Sequence, residues 1–379
     1  MIQTPIVQFG TSRFLQAHVD LFVSEALIDG NAVGKVVVVQ SSGDPGRARR
    51  LAALAAPEGY PVRIKGLLDG ERIDTEVRVT SVARTLSTQT DWLEIKRVFT
   101  EEAEFILSNT GDTGFAPSTA DSSNEFGQKM SYPAKLMHLL LARFEANARP
   151  IQIMPMELIV NNGLVLQKLV GALAMNQSNA FRVYLDNDVT WVNSLVDRIV
   201  SEPLEPAGAI AEPYALWAIE AQPRLKLPCQ HPSVKVVDNL DEIESLKLFI
   251  LNLGHTYLAQ RWLETGDIPN RLVREVVGDS SQLADLKLLY QDEVLPGFTA
   301  AGMEQDAQAY IDTTLERFAN PYLDHRLADI GQNHNEKVDR RIGAFLKWAK
   351  SHGDQSPKPR LQKIVVRLGD SNSEDQSCK

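Results

Sequence analysis

The chain has 379 residues, 44% apolar and 23% charged, a balance typical of folded globular proteins that excludes disordered, collagen-like and coiled-coil readings. Its length predicts two or three domains, two being the starting expectation. With 39 basic against 49 acidic residues the net charge is −10, which disfavours a nucleic-acid surface, and the two cysteines, Cys229 and Cys378, build neither a disulfide framework nor a cysteine zinc site. The first residues lack the charged start and apolar core of a signal peptide, and no apolar run reaches about 18 residues, so a cytoplasmic protein without membrane or nucleic-acid partners is expected.

In chain order, Ile6–Phe9, Val36–Val39, Phe105–Ser108 and Ile151–Met154 are strand-like runs separated by amphipathic stretches over 14–27, 92–99 and 134–144. The valine run has no polar alternation, as a strand buried on both faces requires. Alternation of strand and helix predicts a parallel, doubly wound α/β sheet. Arg63–Leu68 and Thr75–Val82 around Asp69-Gly70 predict an inserted hairpin. After Val234–Val237 the composition changes to helical patterns at 240–263, 282–290 and 337–350, and the next strand-like run is Ile364–Val366. The expected organisation is a doubly wound sheet domain over 1–237, a helical domain over 238–368 and a polar tail over 369–379.

Two segments carry candidate chemistry. The first strand runs into Gly10-Thr11-Ser12, followed by helical periodicity from Phe14. A strand–turn–helix edge offers backbone N–H groups and a helix dipole to a pyrophosphate. Ser12 stands where a second glycine would be expected, so the turn is compatible with a nucleotide site or with an ordinary tight turn. Asp44, beyond the second strand, is the candidate ribose anchor, and Arg47, Arg49 and Arg50 beside it are candidate partners of a 2′-phosphate. The second segment holds Lys247, Asn252 and His255. At 100° per residue His255 lies about 80° and Asn252 about 140° around a helix from Lys247, so the three share one arc. Apolar neighbours of Lys247 should desolvate its amine and lower its pKa, making it a candidate proton donor or acceptor, with Asn252 and His255 holding an oxygen. A snorkelling lysine with a satisfied asparagine and a core histidine fits the same pattern.

The Lys-x-x-x-x-Asn-x-x-His spacing resembles the signature of the polyol-specific long-chain dehydrogenases, the mannitol dehydrogenase family. Further segments follow in family order: Gln8-Phe9-Gly10 with Phe14 and Ala17, Ser108-Asn109-Thr110, Ser131–Leu136, Met156–Ile159 with Asn162-Gly163, Val196–Ile199, Glu212-Pro213-Tyr214 with Trp217, and Arg317-Phe318 with Asn320-Pro321. Ser131–Leu136 is especially similar to the uronate-type members, the tagaturonate reductases and mannonate oxidoreductases. The resemblance implies a Rossmann-type domain followed by a helical domain, in a metal-independent dehydrogenase where Lys247 exchanges the proton and Asn252 and His255 orient the reacting oxygen. It implies a nicotinamide dinucleotide, NAD in preference to NADP, held by Gly10, Thr11, Ser12, Phe14, Asp44, Asn109 and Thr110. Asp197, Asn162 and Arg340, the last with Lys337 and Arg341 on one helix, are the expected substrate contacts. Leu158 stands where mannitol-type members carry an asparagine, which implies a linear sugar acid (tagaturonate- or fructuronate-like, altronate- or mannonate-like) as substrate. The sequence also stops short of the long C-terminal extension of tagaturonate reductases, from which a more open cleft mouth is expected. The alternatives are a dehydrogenase of neutral polyols such as mannitol and a catalytically inactive nucleotide- or sugar-binding regulator. A zinc hydrolase finds little support in the spacing of His325 and His334. A monomer or small homo-oligomer is expected.

Overall fold

The computed structural model describes residues 3–111, 114–266 and 271–367. They divide into two units at Leu240/Asp241, with the hairpin tip Gly66–Ile73 grouped with the second unit. Residues 369–379, expected to be a tail, lie outside the described residues. No helix among the described residues is long and apolar enough to cross a membrane.

The first unit is built on six parallel strands: Ile6–Phe9, Val36–Gln40, Val82–Ser87, Phe105–Ser108, Ile151–Pro155 and Val189–Trp191. Numbered in chain order, they lie side by side as 3-2-1-4-5-6, the doubly wound order whose dinucleotide site falls where the strand order reverses. Val36 to Val39 are fully buried, because helices cover both faces of the sheet, and burial of each such side chain contributes about 1.5–3 kcal/mol. The predicted hairpin is present as Tyr60–Leu68 and Glu71–Val79, turning through Asp69 (φ 54°) and Gly70 (φ 80°). These strands join Ala209–Ala211 and Val200–Pro203 in a four-stranded sheet, and Ser194–Asp197, Leu216–Glu220 and Val234–Val237 form a three-stranded one.

The second unit is helical. One long helical segment runs from Leu240 to Thr265, but Lys247–Asn252 within it is a π turn, in which Leu253 N–H reaches back to Leu248 O. Two more π turns occur at Tyr290–Val294 and Asp339–Gly343. The strand-like run Ile364–Val366 is instead part of a helix over 359–367. Leu361 and Ile364, three residues apart, are its buried face, so helical spacing prevails over the local β preference of isoleucine and valine.

Candidate active site

In the first unit the strand ends frame a cavity of about 490 Å³, a size suited to part of a cofactor. Gly10, Thr11 and Ser12 line one side, Asn109, Thr110 and Gly111 another, and Ser41, Ser42, Arg47, Arg50 and Lys135 a third. Gly10 has φ 130°, and a Cβ there would sit 2.6 Å from the Asn109 carbonyl oxygen, so glycine is required for the first and fourth strands to end this close together. Ser12 caps the four-residue helix Arg13–Gln16 by accepting from Leu15 N–H at 3.3 Å. Thr11 is buried, and its hydroxyl has no protein partner. Phe14 stacks on His18, with ring centroids 4.7 Å apart. The Asn109 amide donates to Met156 O at 2.8 Å, and the Thr110 backbone and hydroxyl both donate to Glu157 at 3.0 Å. Ser108 donates to the other Glu157 oxygen at 2.9 Å. Burial raises the Glu157 pKa against these donors. That carboxylate therefore ties the strand end bearing Asn109 and Thr110 to its neighbour.

Asp44 does not line this cavity. Its carboxylate accepts from Gly46 N–H at 2.9 Å and pairs with Arg47 at 3.5 Å, while Arg50 pairs with Glu205 at 3.2 Å. Lys135, which sequence spacing does not mark as a site residue, also lines the cavity. Ser131 and Pro133 begin the helix Tyr132–Ala146, which places the lysine on the first helical turn. Its Nζ donates to Ser41 O at 2.8 Å, and burial lowers its pKa to about 8 against the pull of Asp121.

Two further expected contacts are integral to the fold. Asn162 is fully buried: its amide nitrogen donates to the carbonyls of Pro155, Glu157 and Ser194, and its oxygen accepts from Gly163 and Ser194. It joins three backbone segments and leaves no group for a substrate. Asp197 is buried at the end of its strand, opposite Leu216. Its neighbour Arg198 donates to the carbonyls of Ala17 and Glu212. Leu158 is 75% exposed, an apolar side chain just past the end of the fifth parallel strand.

In the second unit Lys247 and Asn252 open and close the same π turn. A turn bonded from residue i to i+5 sets those two residues about one turn apart, at a smaller angle around the axis than the one expected for a regular helix. His255 follows three residues later, on the adjoining face. Lys247 and Asn252 are half-buried, and His255 is 6% exposed. Burial, then the charges of His325, Arg317, Arg341 and Lys337, hold the His255 pKa well below the usual imidazole range. Its ring lies 4.4 Å from Phe318 and edge-on to His325 at 4.6 Å. A neutral imidazole so fixed can donate or accept one hydrogen bond.

Arg341, rather than Arg340, faces this helix. It donates to Asn252 O at 3.3 Å and to the Thr256 hydroxyl at 3.0 Å, whereas Arg340 is 75% exposed and pairs with Glu336 at 3.4 Å. One residue of difference selects opposite faces. Lys337 donates to Ile330 O at 2.8 Å.

This is the organisation of a nucleotide-dependent oxidoreductase, with the dinucleotide fold and the polar helix in separate units. Residues 4–229 match the Mannitol dehydrogenase Rossmann domain and residues 239–365 the Mannitol dehydrogenase C-terminal domain, so the chain belongs to the mannitol dehydrogenase family. The altronate oxidoreductase of Halalkalibacterium halodurans is 30% identical over 363 residues, 89% of this chain and 69% of that protein. The Bacillus subtilis altronate oxidoreductase is 29% identical, over 93% of this chain and 76% of that one. Among solved structures, substrate-free D-sorbitol dehydrogenase superposes with a TM-score of 0.81 at 18% identity, covering 97% of this chain and 80% of that one. Pseudomonas fluorescens mannitol 2-dehydrogenase, in ternary complex with NAD and D-mannitol, gives 0.68 at 16%, covering 97% and 84%. At these identities the structural likeness speaks for the fold.

Proposed function

We propose that the chain is a nicotinamide-dinucleotide-dependent oxidoreductase that interconverts a keto and a hydroxy group on a linear sugar acid of the altronate–tagaturonate type. The observation that carries this reading is the π turn that puts Lys247 and Asn252 one turn apart, beside a neutral His255 flanked by Arg317, Lys337 and Arg341. In this reading Lys247 holds or takes the proton of the reacting oxygen, and Asn252 and His255 orient that oxygen through their side-chain hydrogen bonds. The bound dinucleotide supplies or accepts the hydride. Arg341 and Lys337 are the candidate partners of a substrate carboxylate, a role for which a net-negative protein needs a local excess of cations. The printed activity of the altronate oxidoreductases agrees with an acidic substrate.

The binding residues in the first unit are Gly10, Thr11 and Ser12 at the turn, Asn109 and Thr110 at the neighbouring strand end, and Lys135. NAD(H) is the favoured dinucleotide. Asp44 is not the anchor that favours it. Arg47 and Arg50 line the cavity and pair with Asp44 and Glu205 through exposed contacts, a modest competition for a 2′-phosphate. The test is a panel of altronate, tagaturonate, mannonate, fructuronate, mannitol and fructose, followed at the nicotinamide absorbance with both dinucleotides. The reading expects the highest kcat/KM with a sugar acid and NAD(H). It fails if mannitol or fructose is the better substrate, and the choice of dinucleotide fails if NADPH binds at least about tenfold more tightly than NADH, a difference of about 1.4 kcal/mol.

A further inference from the structure

The π turn that sets Asn252 one turn from Lys247 displaces backbone carbonyls from regular helical pairing, and such groups need another donor when buried. The Ile250 carbonyl lies within that turn and is fully buried with its residue. It accepts from Leu253 N–H, which it shares with Leu248 O, and from the Tyr290 hydroxyl at 3.0 Å. Tyr290 is 1% exposed, opens a second π turn, and packs in the same core as Phe249, Ile250 and Phe318. Burial alone raises its pKa far above the ordinary phenol value, so the hydroxyl stays a donor.

The path of this hydrogen bond crosses position 254. A Cβ there would lie 1.9 Å from the Tyr290 oxygen, 3.1 Å from its Cζ and 3.2 Å from Phe318 Cε2. Gly254 follows the turn by two residues and has ordinary helical surroundings, so no demand of its own φ explains the glycine. The gap it leaves is filled by the hydroxyl.

We infer that Tyr290 is a positioning residue for the reaction proposed above: through the gap at Gly254 its hydroxyl holds the Ile250 carbonyl and keeps Lys247–Asn252 wound as a π turn, with Asn252 one turn from Lys247. The inference rests on that functional reading for its catalytic consequence only. Without the hydroxyl, the segment relaxes toward regular helix, where the two side chains diverge by about 140°.

The experiment uses the full chain carrying Tyr290→Phe, Gly254→Ala or both. For Tyr290→Phe, kcat falls at least about tenfold while KM for the dinucleotide holds, and hydrogen exchange quickens in the peptide spanning 247–256. Gly254→Ala lowers the Tm by about 5–10 °C in the wild-type background and by less than half of that beside Tyr290→Phe, because the clash is with the hydroxyl. If Gly254→Ala is insoluble alone, recovery of soluble protein by Tyr290→Phe supports the proposal equally, and insolubility in both backgrounds overturns it. A kcat loss under about threefold for Tyr290→Phe, unchanged exchange at 247–256, or an equal cost of Gly254→Ala in both backgrounds also overturns it. A wild-type chain that turns over no sugar acid defeats the functional reading instead, while the exchange and Tm comparisons still decide what the hydroxyl holds.

Discussion

The two units set their polar chemistry on different kinds of backbone irregularity. In the nucleotide unit the irregularity is a strand end, and it demands a residue type: Gly10 at φ 130°, with the Asn109 carbonyl 2.6 Å from where a Cβ would be. In the helical unit it is a change of winding inside a helix, where Lys247, Leu248, Phe249, Ile250, Leu251 and Asn252 are all acceptable helix residues. The first kind is legible in the sequence as glycine in the right context. The second leaves no such mark, and the regular-helix angle of about 140° between Lys247 and Asn252 overstated their separation.

Substitution at the π turn of the helical unit should cost the most activity. Lys247→Ala is expected to lower turnover by about 10²–10⁴-fold, the usual contribution of a positioned acid–base group, as measured by steady-state rates on the best sugar acid. Retention of more than about a tenth of wild-type turnover would remove Lys247 from the proton step.

On the nucleotide side, Gly10→Ala should cost about 2–4 kcal/mol of stability through strain at positive φ and the clash with Asn109 O, read from urea denaturation. A loss below about 0.5 kcal/mol would show that the strand ends can part freely. A smaller contrast separates Arg341 from Arg340. Arg341→Ala should raise KM for the sugar acid about tenfold and lower kcat, because its guanidinium also holds Asn252 O, whereas Arg340→Ala, on the solvent face, should change both less than about twofold. Equal effects would leave the carboxylate without its proposed partner.

The two units should differ only slightly in their response to pH. His18 and Asp20 are both buried in the nucleotide unit, and burial lowers the histidine to about 3 and raises the aspartate to about 7. Stability from His18 is complete above its unfolded pKa of about 6.5 and is lost as pH falls below it, because the unfolded chain then binds the extra proton. The raised Asp20 acts oppositely: stability is regained as pH falls through about 7. In the helical unit burial, acting first, lowers the pKa values of His255, His325 and His334, all in the same direction. Going from pH 7.5 to 5.5 should therefore lower hydrogen-exchange protection, taken relative to the unfolded chain's rate at the same pH, in the helical unit more than in the nucleotide unit. The opposite order would contradict these assignments.

Four of the six parallel strands are legible in the sequence, Val36–Val39 most clearly as an unbroken apolar run buried on both faces, whereas Val82–Ser87 and the three-residue Val189–Trp191 carry no such pattern. The short strands between 194 and 220 escaped notice, being three to five residues long with mixed polarity. Among site residues, Gly10, Asn109 and Thr110 do meet at one cavity. Asn162 and Asp44 were assigned outward roles because spacing cannot show that a polar side chain turns back onto its own backbone. Lys135 was missed for the complementary reason: a lysine on a first helical turn looks solvated until Ser41 O is seen beside it.

In the proposed division, residues of one unit hold the dinucleotide and the other unit carries the proton step. Titration of NADH against wild type, Lys247→Ala and Lys135→Met, followed by energy transfer from tryptophan, separates the two roles. Lys135→Met removes the buried amine at the cavity and should bind about tenfold more weakly, while Lys247→Ala should bind within about twofold of wild type despite its loss of turnover. Loss of NADH binding in Lys247→Ala as severe as in Lys135→Met would contradict the division.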